Sequence, residues 1–247
     1  MFKAREMLES RVEEVNIYFD FLFTVIDRRA ELSLEKPYGE GDPDEREFQR
    51  IPAAVINTLK ANGFLLLYNM VEATIKQAFY SMRLVIEDQG HCFDDLHESM
   101  RHYLTGLLRV EDVRSKVMNS KHPVGKAILE AGFDAGKLLS GNIHHQTLKS
   151  IADKFGFSVD TDAELTKGGR RLTDVKTKRN QLAHGQLSFL ECGRDTAIEE
   201  IIEIKGEVIH YLTQILDNIE AYLTNRQYLA TPVDLDTAQP AAQAPST

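Results

Sequence analysis

The feature that most constrains the fold is a long apolar repeat near the end of this 247-residue chain. Between residues 198 and 223, apolar side chains recur at steps of three and four, the spacing that puts them on one face of an α-helix. The repeat consists of Ile198, Ile201, Ile202, Val208, Ile209, Leu212, Ile215, Leu216, Ile219 and Leu223. A helix with so long an apolar face must pack against other elements, so we expect it inside a bundle.

Similar spacing predicts further helices along the chain. We expect them over about 3–34, 50–89, 93–117, 144–155 and 165–183, with Asn142 as N-cap and Gly156 as the end of the fourth, and Gly185 as C-cap of the last. Pro52 is tolerated in a first helical turn. We recognise no strand-like alternation or hairpin signal. The sequence therefore predicts an all-α protein, an elaborated helical bundle with long antiparallel helices.

Breaks between these helices mark loops and a tail. Residues 36–44 are rich in Gly, Pro and Asp, and residues 119–141 are interrupted by Pro123 and several glycines. Residues 230–247 are rich in Ala, Pro, Gln and Thr and are expected to be disordered. We therefore predict a single helical domain over residues 1–229, followed by a disordered tail.

The middle of the second long helix is apolar nearly all round, from Phe64 to Val71. Such a helix is normally central, enclosed by its own chain or by a second subunit. Tyr68, Asn69 and Glu72 lie in or beside this stretch and could support a functional site. Packing and bundle contacts are the commoner role for such residues, and we favour that interpretation.

Composition limits where the protein works and what it binds. The formal net charge is −9, so a polyanion must be met by a local patch of opposite sign. Cys92 and Cys192 are too few for a disulfide framework, which favours a reducing, cytoplasmic setting. No signal peptide is recognised at the start of the sequence, and no apolar run reaches the length of a membrane span. We expect a soluble cytoplasmic protein without membrane association.

A strongly basic segment stands out in this acidic chain. Between Lys167 and Arg179 there are six basic residues and one acid, Asp174, so the segment carries +5. Its basic residues are Lys167, Arg170, Arg171, Lys176, Lys178 and Arg179. Such a local reversal of sign concentrates anionic ligands at one place, and we expect the first five of these residues to bind RNA.

The basic segment ends in a motif suited to cutting RNA. Arg179 is followed directly by Asn180 and, five positions after the arginine, by His184. A guanidinium neutralises a phosphate through a fork of donors, and an imidazole transfers protons near neutral pH. We expect His184 to act as general base or acid, Arg179 to stabilise the phosphate charge, and Asn180 to orient the reacting groups. The proposed attack by the substrate's own 2′-hydroxyl needs no metal and no cofactor, and none is expected.

Plainer interpretations compete with this one. Basic residues over a helical turn often form a solvated face, and a histidine before Gly185 can simply complement the helix dipole. The spacings Glu207-x-x-His210 and Asp94-x-x-His97 are also found in di-iron bundles, but a complete set of ligands is missing. We interpret both cysteines as plain buried residues.

These residues also carry a resemblance to a known family. Arg179, Asn180 and His184 match the three motif positions of the HEPN superfamily, helical-bundle proteins that include ribonucleases. The segments Leu66–Ile75 and Lys178–Glu191 are similar to a bacterial branch associated with toxin and anti-phage defence loci, and the resemblance extends over about residues 3–228. It implies a metal-independent endoribonuclease.

The resemblance further implies a homodimer, with two copies of the motif lining one cleft. On a helix, Arg179 and His184 lie about 140° apart, so a shared cleft suits them better than a single protomer. An antitoxin or another defence-system protein is an implied partner. In HEPN toxins silenced by nucleotidylation a tyrosine lies two residues after the histidine, and Gln186 takes that place here. The alternative is an inactive HEPN module that binds RNA, a nucleotide or a partner protein.

Overall fold

The computed structural model describes residues 1–35, 46–109, 111, 114–115, 118, 123–139 and 142–230. Its helices are α1 (Phe2–Asp27), α2 (Ala53–Asp88), α3 (Glu98–Gly106), α4 (Val124–Gly132), α5 (Ala135–Leu139), α6 (His145–Phe155), α7 (Ala163–Thr166), α8 (Arg170–Ala183), α9 (Phe189–Arg194) and α10 (Ile198–Thr224). Two 3-10 turns cover Phe93–Asp95 and Lys167–Gly169. The prediction of a helical bundle is confirmed, and the apolar repeat of residues 198–223 forms α10.

The expectation of no strand is wrong in one place. Strands β1 (Glu31–Glu35) and β2 (Arg46–Arg50) form an antiparallel hairpin in which Ser33 lies opposite Phe48. The first helix ends at Asp27, seven residues before the predicted end, and Arg29 adopts a left-handed backbone with φ of 48°. Leu32 and Leu34 alternate with polar residues, the period of a strand. The loop predicted for residues 36–44 lies outside the described residues.

Other boundaries also differ from the prediction. In the region expected to be one helix over 93–117, a 3-10 turn precedes α3, which ends at Gly106, eleven residues before the predicted end, and residues 110, 112–113 and 116–117 lie outside the described residues. The segment expected to be broken contains α4 and α5. His144, and not Asn142, is the N-cap of α6. Gly156 ends α6 as predicted, with a left-handed φ of 86° that suits glycine. Residues 231–247, where a disordered tail is predicted, lie outside the described residues.

The chain divides into two compact units. The motif unit contains residues 6–74 and 161–213, and the terminal unit contains the described residues of 1–5, 75–160 and 214–230. Helices α1, α2 and α10 each contribute residues to both units. The prediction of one domain over residues 1–229 stays a prediction.

Close packing of α1, α2, α9 and α10 builds the motif unit. Lys205 of α10 donates to the side-chain oxygen of Asn16 on α1, and Ile202 lines a common cleft with Phe23, so α1 and α10 run antiparallel here. Gly193 of α9 lies against the backbone of Asn57 on α2, where an added Cβ would come within 1.9 Å of the Asn57 carbonyl oxygen. This approach of two helix backbones requires glycine at position 193.

The apolar stretch of α2 is largely covered by the chain itself. Phe64, Leu67, Tyr68, Met70 and Val71 are all buried, and Asn69 is exposed. These five side chains are therefore enclosed by their own chain, the first of the two possibilities considered for this stretch. Their burial gives no argument for a second subunit.

An aromatic cluster forms the core of the terminal unit. Its rings pack edge to face with centroids 5.5 to 6.4 Å apart, and they belong to Phe79, Tyr103, Phe133, Phe155, Phe157, Tyr222 and Tyr228. The Tyr222 hydroxyl donates to the carbonyl oxygen of Phe155. At the start of α1, Arg5 forms ion pairs with Asp217 and Glu220.

Candidate active site

Helix α8 carries the basic segment and the motif, and it lies wholly within the motif unit. Leu172, Val175 and Leu182 are its buried residues, which leaves the basic residues on its other faces. A left-handed turn precedes it, because Lys167, Gly168 and Gly169 all have positive φ. The helix predicted over 165–183 is therefore broken at two glycines, which adopt a left-handed backbone without steric strain.

The Arg179 side chain is held on two sides. Its Cζ atom lies 4.4 Å from the centroid of the Tyr68 ring, in the geometry of a cation–π contact. Its Nη1 donates to Oδ1 of Asn180 at 2.8 Å. Tyr68 is only 1% exposed, so its ring is a fixed platform on α2. These two contacts restrict the guanidinium before any ligand arrives.

His184 lies just beyond the end of α8. It is the C-cap residue, and its N–H donates to the carbonyl oxygen of Asn180 at 3.0 Å. Gly185 follows with φ of 66°, and the N–H groups of Gly185 and Gln186 donate to the carbonyls of Leu182 and Gln181. This is a Schellman motif, which confirms the glycine end signal predicted from the sequence. The chain turns away here and leaves the imidazole exposed.

A second local motif, a capping box, fixes the chain where the segment after His184 enters α9. Ser188 is the N-cap of α9 and accepts from the Glu191 N–H, while the Glu191 carboxylate accepts from the hydroxyl and the N–H of Ser188. The hydrogen bond from the Ser188 hydroxyl, followed by that from its N–H, lowers the pKa of Glu191. A Schellman motif and a capping box therefore hold the two ends of the short segment that follows His184.

The motif residues are only partly brought together within one chain. Arg179 and Asn180 are joined by a side-chain hydrogen bond, and Asn180 and His184 are joined through backbone atoms. Among the described residues, the imidazole of His184 forms no hydrogen bond or ion pair. It is thus available to a ligand, which is the condition for proton transfer to a substrate.

The basic residues fall into two groups. Arg171 donates from Nε to the Glu207 carboxylate at 2.7 Å and contacts Asp174 at 3.3 Å, and these hydrogen bonds raise its pKa, that to Glu207 most. Lys167 lies 3.8 Å from the same Glu207, which is 7% exposed. Within the described part of the chain, Arg170, Lys176 and Lys178 form no ion pair. Together with Arg179, whose partners are neutral, these three carry the uncompensated charge of α8.

Two residues have roles that differ from those expected from the sequence. Tyr68 is expected to pack, and it both packs and supports Arg179. Glu207 belongs to a candidate metal motif, but its carboxylate faces Arg171 of α8. An acid on a strongly apolar helix is the signal that could have indicated a buried ion pair.

His97, considered as part of a metal motif, has a structural role. His97 is the N-cap of α3, and its Nδ1 accepts from Met100 N–H while Nε2 lies 2.8 Å from the Phe155 carbonyl oxygen. No group of three or more His, Cys, Asp or Glu side chains suited to a metal ion occurs among the described residues. Cys192 is buried as expected, whereas Cys92 is only partly buried, contrary to the expectation. Desolvation raises the pKa of both thiols, which disfavours the reactive thiolate.

This geometry is typical of a site for an anionic ligand. A restrained guanidinium and an exposed imidazole, five positions apart at the end of a helix that also carries unpaired cations, are groups that can bind an anionic ester and transfer a proton. No helix in the described part of the chain has the length and apolarity needed to cross a bilayer.

Comparison with known families shows which family the chain belongs to. A family model described as HEPN_MAE_28990-like HEPN matches residues 3–228, and the protein belongs to this HEPN family. Searches of curated proteins and of solved structures gave no match. HEPN domains are associated with RNA and RNA cleavage, although some members are inactive. The fold and family thus establish a helical HEPN module, whose activity depends on the residues of its site.

Proposed function

We propose that this protein is a metal-independent endoribonuclease whose site consists of Arg179, Asn180 and His184. One observation carries the proposal. The Arg179 guanidinium is held by Tyr68 and Asn180 at one end of α8, and an exposed imidazole without a partner among the described residues follows directly beyond that end. A purely structural arginine has no need of a proton-transfer group in the same motif.

The reaction follows from these groups and from the chemistry of RNA. An imidazole removes the proton of the 2′-hydroxyl, and the 2′-oxygen attacks the adjacent phosphorus. The P–O5′ bond breaks, and the departing 5′-oxygen takes up a proton. Arg179 stabilises the negative charge on the phosphate oxygens during this exchange, as an already oriented donor. The products are a 2′,3′-cyclic phosphate and a 5′-hydroxyl.

The complete site is proposed to form in a homodimer. His184 lies five positions after Arg179, so the two side chains are about 140° apart around a helix and do not converge on one phosphate by helical phase alone. A two-fold pair supplies two guanidinium and two imidazole groups to one cleft. One His184 then accepts the 2′-proton while the other donates to the 5′-oxygen.

The cellular role and organisation are proposed on the family resemblance. We place the protein in the cytoplasm, in a toxin or anti-phage defence system, with an antitoxin or another defence protein as partner. We also retain residues 1–229 as one HEPN domain and residues 230–247 as a tail. No cofactor is assigned.

The test is a cleavage assay on single-stranded RNA with excess EDTA. We expect cleavage to continue, to leave cyclic phosphate ends, and to spare RNA with a 2′-O-methyl at the cut. His184→Ala is expected to abolish it. His210→Ala is the control, because His210 is another exposed histidine of the motif unit. Cleavage of DNA, or a requirement for magnesium, would refute the mechanism, and RNA binding without cleavage would indicate the inactive binding module.

A further inference from the structure

A cleft of about 360 Å³ lies beside the motif, within the motif unit. Its size is in the range of small-ligand sites. It is lined by Phe64, Arg171, Asp174, Thr177, Lys178, Asp195, Thr196, Glu200 and Ile204. Phe64 and Ile204 are 1% and 2% exposed and give the cleft an apolar floor. Charged and hydroxyl-bearing side chains form its walls.

The cleft is connected to Arg179 through both helices that hold the arginine. Lys178 lines the cleft and directly precedes Arg179 on α8. Phe64 lines it one helical turn before Tyr68 on α2, an axial separation of about 6 Å. One nucleotide can therefore reach from a phosphate at Arg179 into the cleft.

The charges that line the cleft fit a base better than a phosphate. Three carboxylates, those of Asp174, Asp195 and Glu200, outnumber the two cations Arg171 and Lys178. Asp174 is engaged by Arg171, and Asp195 is engaged by Arg194. Carboxylates accept hydrogen bonds and repel phosphate, so this cleft suits a neutral group that presents N–H donors.

Two side chains of opposite charge remain available. In the described part of the chain, neither Lys178 nor Glu200 forms a hydrogen bond or ion pair, although both line the same cleft. One offers donors and the other offers two acceptor oxygens. A base that fits them must show an acceptor beside adjacent donors, and guanine does so with O6, N1–H and the N2 amino group.

We infer that this cleft is a nucleobase subsite that selects guanine next to the phosphate cut at Arg179. The Glu200 carboxylate accepts from N1–H and N2–H, Lys178 donates to O6, and the apolar floor of Phe64 and Ile204 contacts the base. The part of this inference that assigns the base a role in cleavage rests on the proposed function. Base binding itself does not depend on activity.

The test is calorimetric titration of the full chain with GMP, IMP, AMP, CMP and UMP. GMP is expected to bind roughly tenfold more tightly than AMP, CMP or UMP, the range typical of one bidentate contact. IMP lacks the N2 amino group and should fall between them. Glu200→Gln replaces one acceptor with a donor and should remove the preference for GMP. Glu199→Gln is the control, because Glu199 is an exposed neighbour on α10 that does not line the cleft.

The outcomes separate this inference from the nuclease proposal. Equal affinity for the nucleotides, or equal effects of Glu200→Gln and Glu199→Gln, would overturn it. Tight binding of arginine amide that depends on Glu200 would also overturn it and would indicate an arginine of a protein partner as the occupant. Cleavage without base preference would refute only the subsite. Selective GMP binding by a protein that cuts no RNA would support the subsite and refute the nuclease.

Discussion

The ring of Tyr68 lies beneath the guanidinium of Arg179, with 4.4 Å from the arginine Cζ to the ring centroid. The two residues belong to α2 and α8, so the contact fixes the motif to the central helix of the motif unit. A cation over an aromatic face gains about 0.5–2 kcal/mol, depending on desolvation. The contact is present without substrate, and it holds the arginine in the orientation that the proposed cleavage would require.

We predict that Tyr68→Leu lowers the cleavage rate about tenfold, whereas Tyr68→Phe retains most of it, because phenylalanine keeps the aromatic face. Rates are measured well below the unfolding temperature of each variant, so that a loss of stability does not mimic the effect. A double-mutant cycle with Arg179→Lys gives the coupling. Fully additive effects would show that Tyr68 acts only through packing.

His184→Ala should abolish cleavage while changing the free energy of unfolding by less than about 0.5 kcal/mol. The side chain is exposed and has no partner among the described residues, and such surface sites tolerate substitution. Urea denaturation and the RNA assay are performed on the same preparation. Retained activity would remove the proposed role of His184, and a large loss of stability would make the activity result uninformative about catalysis.

Arg170 and Arg171 should respond differently to substitution. Arg170→Glu is expected to weaken RNA affinity and to reduce the slope of log affinity against log salt by about 0.7 for each phosphate that is no longer neutralised. Arg170 is exposed and unpaired within the described part of the chain, so stability should hardly change. Glu207→Gln, which removes the carboxylate that holds Arg171, should instead destabilise the fold by roughly 2 kcal/mol. A salt slope unchanged by Arg170→Glu would place the RNA elsewhere.

Two glycines of the motif unit provide a matched pair for stability. Gly193→Ala should be strongly destabilising, by more than about 3 kcal/mol, because its Cβ would meet the Asn57 carbonyl oxygen at 1.9 Å. Gly206→Ala, in the interior of α10 and with no described atom within 4 Å of the added Cβ, should stabilise by about 0.5–1 kcal/mol. Thermal unfolding of both variants checks the pair, and a tolerated Gly193→Ala would show that α9 and α2 can separate at little cost.

Mixing inactive subunits tests the composite site. Heterodimers of Arg179→Ala and His184→Ala chains retain one cleft half with an intact arginine and one with an intact histidine, so some cleavage should return. Neither variant alone should cut RNA, and mixing two preparations of the same variant is the control. A protein that is monomeric by light scattering and fully active would contradict the shared site.

The sequence predicted those features that depend on neighbouring residues. The apolar repeat of α10 and the glycine after α8 have local causes, namely helical periodicity and a left-handed backbone, and both were found where expected. The hairpin was missed because Leu32 and Leu34 alternate over only five residues, too short a window to oppose the preceding helical pattern.

Contacts between segments that are distant in sequence could not be predicted from local patterns. Tyr68 and Arg179 are far apart in the chain, and nothing local shows that their helices bring them together. Likewise, the sequence shows Glu207 as an acid on an apolar helix, but only the packing of α8 on α10 shows that it faces Arg171. The cleft beside Lys178 also depends on three separate segments and has no sequence signature.

Arg179 lies within α8, whereas His184 caps its end. Insertions on the two sides of the motif should therefore have different effects. One residue inserted before Arg179 would rotate the arginine by about 100° and carry it off the Tyr68 ring. One residue inserted after Leu187, beyond the last hydrogen bonds to the helix, would leave Arg179 in register and only lengthen the connection to α9. Variation in length among related chains should therefore accumulate on the far side of the histidine, and the helix up to Arg179 should keep a constant length.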